Sequence, residues 1–333
     1  MIQNDIKTRV VGVDISLERT SIGIVDIRGE IIATDCFVTS EHPYLGDYLS
    51  VLCEHILNLV EGHGGFESIR SVGICSPSGN FRTSSIENAP NMPWKGVIPL
   101  AAMLRDRLGM AVALGNNAHA MALGEQAFGA AHGMRDFAII SIGHGLGSCF
   151  FSNGVVHLGN DGFAGDVGHT CYIPNGRQCG CGKQGCLEAY VAAKGIVQTA
   201  QELMAKRPEP SMMRQVDRLS PKLIQDFCDL GDELAIETYR LTGYSLGVGL
   251  ANYASVMNPE AFIFTGGFAQ AGKWLFEPAK ESFEDHVFHN MQGKVKFMVS
   301  NLENRTRNML GASVLAWEVQ EYSLFKRTIV ISE

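Results

Sequence analysis

Between residues 169 and 186, His169, Cys179, Cys181 and Cys186 offer one imidazole and three thiolates to a single ion. Zinc takes a set of one nitrogen and three sulfurs as a tetrahedron, and four protein ligands leave no open position for catalysis. Gly180, Gly182 and Gly185 stand among the cysteines, where a backbone without side chains can reverse tightly enough for three sulfurs to converge. The plain alternative is a group of free buried thiols beside an unrelated histidine. A C-x-C-x4-C cluster with an upstream histidine is too dense for that. A disulfide needs an oxidising compartment, and nothing marks the chain as secreted. The expectation is a structural zinc site held by His169, Cys179, Cys181 and Cys186.

The composition narrows the function class. A chain of 333 residues is long enough for two domains. Its 35 acidic against 27 basic residues give a net charge of -8, which argues against nucleic acid as a direct partner. The opening Met1-Ile-Gln-Asn-Asp-Ile-Lys lacks the apolar core of a signal peptide, and no apolar run is long enough to span a bilayer. Nine cysteines, three of them assigned to metal, fit a reducing compartment. The expectation is a cytoplasmic protein, without a membrane partner, that handles a small molecule.

Along the chain, three strands are expected at about residues 9–14, 21–26 and 31–38. A helix follows, with Leu45, Leu49, Leu52, Ile56 and Leu59 at helical spacing. Then come a strand ending at Ile74-Cys75, a long polar loop, a helix near 98–109 and a short strand at Ala111–Leu114. From Phe137 the order repeats, with strands at Phe137–Ile142, Gly147–Phe151 and Val155–His157, then helices, the strand Ala261–Thr265 and a further helix. This is a duplicated β-β-β-α-β-α plan, each half a mixed sheet covered by helices. Residues 1–118 are expected to form an N-terminal lobe, completed by a C-terminal helix within about 308–333. Residues 119–307 are expected to form a C-terminal lobe with the zinc-binding insertion. Lys206 to Pro221 reads as an exposed loop.

Gly-Phe-Ala-Gly-Asp-Val-Gly-His at 162–169, followed by Cys-Gly-Cys-Gly-Lys-Gln-Gly-Cys-Leu-Glu at 179–188, resembles the signature of the ROK family. That group of sugar kinases and sugar-responsive repressors includes bacterial glucokinases, fructokinases and N-acetylmannosamine kinases. The resemblance runs from about residue 10 to residue 320. It implies an α/β, two-lobed, actin-like (ribonuclease H-like) sugar kinase fold with a ligand cleft between the lobes, and a homodimer. The family's repressors carry an N-terminal winged helix. Only residues 1–13 precede Asp14 here, so direct DNA binding is not expected.

The same resemblance implies the site. Kinases of the family take their sugar contacts from a P-N-x-P loop, here Pro90-Asn91-Met92-Pro93, and from a G-N-D motif, here Gly115-Asn116-Asn117. The A-G-E-x-G-H motif, here Ala164 to His169, and the Glu after the last zinc cysteine, here Glu188, supply the rest. Asn91, Asn116, Asn117, Asp166, His169 and Glu188 are therefore the candidate sugar ligands. Asp166 in place of Glu shortens that side chain by one methylene, which bears on the preferred sugar. Zinc would pin the loop carrying Glu188 and His169 without touching substrate.

The phosphate side departs from the pattern in three places. The family's phosphoryl-transfer base is the Asp of G-N-D, and Asn117 stands there. The first phosphate loop, D-x-G-G-T in the family, is Asp14-Ile15-Ser16-Leu17-Glu18, with bulk and a negative charge where phosphates would approach. Arg19 could offset that charge by pairing with Glu18 or by binding phosphate itself. The second loop, usually G-T-G-x-G, is Gly143-His144-Gly145-Leu146-Gly147, while Gly266-Gly267 on the adenosine side is retained. Asp14, Gly143, Gly145, Gly147, Gly266 and Gly267 are the candidate contacts to Mg-ATP. Two functions stay open at this point: a protein that binds a sugar or sugar phosphate with phosphorylation weakened or lost, and an active ATP-dependent hexose kinase with an altered site.

Overall fold

The computed structural model describes residues 7–89, 92–267, 272–303 and 306–319. Two compact units are present, Met1–Ala120 with Thr306–Glu333, and Met121–Arg305. In the first, β1 (Arg9–Ile15), β2 (Arg19–Asp26) and β3 (Ile31–Val38) form an antiparallel meander, and α1 (Leu45–Glu61) follows. Next come β4 (Ile69–Ser76), the short strands β5 (Gly79–Asn80), β6 (Ser85–Glu87) and β7 (Val97–Ile98), and α2 (Leu100–Leu108). Strand β8 (Val112–Asn116) runs directly into α3 (Asn117–Phe128). The main sheet has the order β3-β2-β1-β4-β8, with β4 parallel to both β1 and β8. Val11, Val13, Ile15, Ile22 and Ile24 meet Leu49, Leu52 and Ile56 of α1 in one core, as β-branched strands against an amphipathic helix should.

The second unit repeats the design. Strands β9 (Phe137–Ile142), β10 (Leu146–Ser152) and β11 (Val155–Val156) again form a meander. Helices α4 (Glu188–Val191), α5 (Ala193–Lys206), α6 (Pro221–Asp229) and α7 (Glu233–Met257) precede β12 (Ala261–Thr265). Helix α8 (Lys273–His286) and β13 (Lys296–Val299) complete it, in the sheet order β11-β10-β9-β12-β13. The strand polarities match those of the first sheet, with β12 parallel to β9 and β13.

Helix α9 (Arg307–Glu318) belongs to the first unit, where it packs on β1 and β4. The approach is close: a Cβ on Gly73 of β4 would lie 1.9 Å from the Ala312 carbonyl oxygen and 2.7 Å from the Ala316 nitrogen. The Ser71 hydroxyl donates to the Ala316 carbonyl beside it. Gly73→Ala must push helix and sheet apart, with an expected loss of about 3 kcal/mol, the upper part of the overpacking range. Urea unfolding would show it as a lowered midpoint at unchanged slope.

Two stretches differ from the sequence reading. The segment after β4, read as a long polar loop, folds into the small antiparallel sheet β5-β6-β7. Its strands are two or three residues long, too short to show an alternating pattern. The segment Lys206–Pro221, read as exposed, contains a 3-10 turn at Met212–Gln215 whose Met213 is buried. Buried Asp232 pulls it inward by accepting from the Ser211 hydroxyl and the Met212 amide.

Candidate functional site

The metal segment is a tight hairpin. Cys171 pairs with Cys186 and Gln178 with Gln184 as isolated antiparallel bridges. The Cys179 amide donates to the Lys183 carbonyl, and the Gly185 amide to the Arg177 carbonyl. Gly185 has φ +82°, and a Cβ there would lie 1.9 Å from the Ile173 carbonyl oxygen, so only glycine fits. Arg177 ties the hairpin to α5 through Glu202 at 2.7 Å and the Gly195 carbonyl at 3.1 Å.

The expected ligands do converge: donor atoms of His169, Cys179, Cys181 and Cys186 all lie within 4.8 Å of one another. The Cys181 and Cys186 sulfurs are 3.7 Å apart, and Cys179 Sγ is 3.7 Å from His169 Nδ1. Two thiolates on one tetrahedral zinc ion, each at about 2.3 Å, sit roughly 3.8 Å apart. The donor set and its spacing fit zinc. Burial pushes the Cys179 thiol up to about 12, while the Lys183 backbone holds Cys181 below its ordinary value. A divalent cation supplies the charge that keeps all three as thiolates at neutral pH.

The sugar-side candidates of the second unit surround this cluster. With Nδ1 of His169 toward Cys179, its Nε2 is left facing Asp166 Oδ2 at 4.0 Å. Two residues that the sequence did not single out hold this loop. The Ser148 hydroxyl of β10 donates to the Gly165 carbonyl at 2.6 Å and accepts from the Val167 amide at 2.9 Å. The Tyr253 hydroxyl of α7 bonds the Val167 carbonyl and Thr170 Oγ1. Neither lies in a motif, and a lone Ser on a strand carries no signal. Glu188 begins α4, and its Oε2 accepts from the Leu146 amide at 2.9 Å. That bond links the metal hairpin to the β9–β10 turn, leaving Oε1 near Cys179 Sγ at 3.5 Å.

The phosphate-side residues fall on two turns and a strand end. Ser16 to Arg19 closes upon itself: the Ser16 amide donates to the Arg19 carbonyl, and the Arg19 amide to Ser16 Oγ. Leu17 and Glu18 are exposed at its tip. Arg19 does not pair with Glu18; its guanidinium donates to Cys36 Sγ, because β2 sets it opposite β3. Gly143, Gly145 and Gly147 sit in the β9–β10 hairpin, where the Gly143 amide donates to the Gly145 carbonyl and His144 is exposed. Gly266 and Gly267 follow β12, and a Cβ on Gly267 would meet nothing within 4 Å.

In the first unit Asp14 lies at the end of β1. Asn308 of α9 donates to both its carboxylate oxygens at 3.2 Å, and the Cys75 thiol to Oδ1 at 3.4 Å. Burial pushes the Asp14 carboxyl above the usual carboxylate range, and those hydrogen bonds only partly oppose it; a bound cation would reverse the sign. Asn308, far away in sequence, could be found only from the fold. Asn116 Oδ1 accepts from the Ala118 amide at the start of α3. Asn117 is the first residue of that helix, and its buried Oδ1 has no hydrogen-bond partner among the described residues. His119, one position beyond Ala118, is buried with Nδ1 unpartnered among the described residues, and burial lowers its pKa to about 4. Asn91 lies outside the described residues; from the same stretch, Met92 and Trp94 are core residues, with Trp94 packed on Tyr48 at 4.2 Å.

Two duplicated α/β units, the second bearing a cluster of one histidine and three cysteines, make this a two-lobed ROK sugar kinase fold. The chain belongs to the ROK family, which matches residues 10–319. It is 31% identical over 316 residues to a glucokinase of Streptomyces coelicolor, covering 92% of this chain and 97% of that one. A xylose repressor of Bacillus spizizenii is 25% identical over 311 residues, covering 92% of this chain and 77% of the repressor. The crystal structure of a ROK family glucokinase from Streptomyces griseus, in complex with glucose and AMPPNP, superposes with a TM-score of 0.76. That pair is 29% identical and covers 93% of this chain and 100% of the other. No helix among the described residues is long and apolar enough to cross a membrane.

Proposed function

We propose that the protein is a glucokinase-like sugar binder that takes a hexose or hexose derivative, with ATP-dependent phosphorylation of that sugar weakened or lost. The observation that carries this reading is Asn117, an amide at the position of the family's catalytic base, with a buried side-chain oxygen that no group among the described residues engages. An amide has no basic lone pair at neutral pH and cannot take the proton of an attacking hydroxyl. Losing a general base costs about 10²- to 10⁴-fold in rate. Glu18 adds repulsion toward a triphosphate, screened at its exposed turn. The sugar side supports binding: Asp166 stands beside His169 and Glu188 beside Cys179, and a relative of similar sequence binds glucose.

A second reading, an active hexose kinase with an altered site, is favoured by Asp14, retained and held at both oxygens by Asn308. Phosphoryl transfer depends mostly on positioning and charge, so a kinase lacking its base is slowed rather than abolished. Thermal unfolding of the zinc-loaded protein against hexoses, N-acetylhexosamines and their 6-phosphates, with and without Mg-ATP, separates the two. Stabilisation by a sugar or sugar phosphate, with Mg-ATP adding little, is the expected result. A sugar effect that grows with Mg-ATP, together with turnover, would favour the active kinase. No response to any carbohydrate at millimolar concentration would sink both.

A further inference from the structure

Cys171 is not one of the four residues whose donor atoms converge for a metal ion. It is exposed, whereas Cys53, Cys75, Cys149 and Cys228 are buried; the other exposed cysteine, Cys181, belongs to the metal cluster. It sits directly opposite the metal ligand Cys186 in an antiparallel bridge. The Tyr172 amide donates to the Gly185 carbonyl at 2.7 Å and the Leu187 amide to the Thr170 carbonyl at 3.0 Å. Those bonds flank the two cysteines, which makes them a non-hydrogen-bonded pair. In such a pair the Cα atoms approach to about 4.5 Å and the side chains share one face. Disulfides span Cα separations of about 4.4–6.8 Å. Cys171 also lines an open cavity of about 460 Å³ with Phe163, Asp166, Thr170 and Tyr253, which gives small solutes a path to its thiol.

We propose that Cys171 is an oxidation site whose product is a disulfide with Cys186, formed at the expense of the metal. With zinc bound, the three ligand sulfurs are engaged and Cys171 is the exposed free thiol of the hairpin; Cys36, half-buried on β3, accepts from the Arg19 guanidinium. A peroxide oxidises it: the O–O bond breaks, Cys171 becomes a sulfenic acid, and the second oxygen leaves as water. The Cys186 thiolate then attacks the Cys171 sulfur, the S–S bond forms, and hydroxide departs. Two thiol sulfurs lose two electrons in all, and the peroxide gains them. The cluster is left with His169, Cys179 and Cys181, a set that no longer closes a structural zinc site. Glu188, two residues beyond Cys186, loses its anchor with it, and so does the bond to Leu146.

The test exposes zinc-loaded wild type and Cys171→Ser to hydrogen peroxide. Zinc release is followed with a chromogenic chelator, and disulfides are mapped by mass spectrometry after non-reducing digestion. Wild type is expected to give a Cys171–Cys186 peptide and to lose its zinc. Cys171→Ser should release zinc more slowly, by roughly an order of magnitude, since only ligated sulfurs remain to react there. Equal release rates, or a disulfide among Cys179, Cys181 and Cys186 with Cys171 still reduced, would overturn the assignment. The mapping needs neither sugar nor nucleotide, so it stands or falls separately from the proposed function.

Discussion

Asn117→Asp is expected to raise ATP-dependent hexose phosphorylation by about 10²- to 10⁴-fold, the contribution of one positioned general base. The exchange is nearly isosteric and sits at the first residue of α3, where a negative charge is favoured by the helix dipole. A base acts in the transition state, so the gain should appear in kcat with the sugar KM little changed. A coupled assay on whichever sugar stabilises the protein measures it. If the sugar binds and the rate stays at the wild-type level, the missing base is not what limits transfer. The Leu17-Glu18 turn then becomes the obstacle, and the assignment of Asn117 fails.

Removing the metal is expected to melt the segment from Asp166 to Tyr190 locally. Its own backbone bonds are two isolated bridges and turn bonds, too little to fold a hairpin alone. The outside ties through Ser148, Tyr253 and Arg177 reach only Val167, Thr170 and Arg177 within it. A structural zinc site contributes much of the folding energy of such an element. Taking the loss as on the order of 3 kcal/mol, Tm should fall by roughly 4 °C in a chain of 333 residues. Cys179→Ser should reproduce the effect of a chelator. Hydrogen exchange supplies the sharper readout: the Leu146 amide, bonded to Glu188 Oε2 at 2.9 Å, should lose protection although it lies outside the hairpin. If chelation leaves Leu146 protected and Tm unmoved, the metal is not structural.

Glu188 shows how far a motif can be read. As the glutamate two residues after Cys186 it is legible as a candidate sugar ligand, yet its bond to the Leu146 amide, 42 positions earlier, is invisible in any local pattern. Asn308 is a stronger case, since 294 positions separate it from the carboxylate it holds. Ser148 and Tyr253 likewise bear on the Asp166–His169 loop from a strand and a helix that carry no motif.

Local pattern was enough for the duplicated strand–helix order and for the four residues of the His/Cys cluster. Alternating or helical apolar spacing decides an element within a dozen residues, and the three cysteines act across the short stretch from Cys179 to Cys186. What lies beside each candidate came only with the folded chain. Folding set Asn308 on Asp14, Glu188 under the β9–β10 turn and Cys171 opposite Cys186. Those pairings come from register and packing, which are settled only when whole sheets and helices close over their cores.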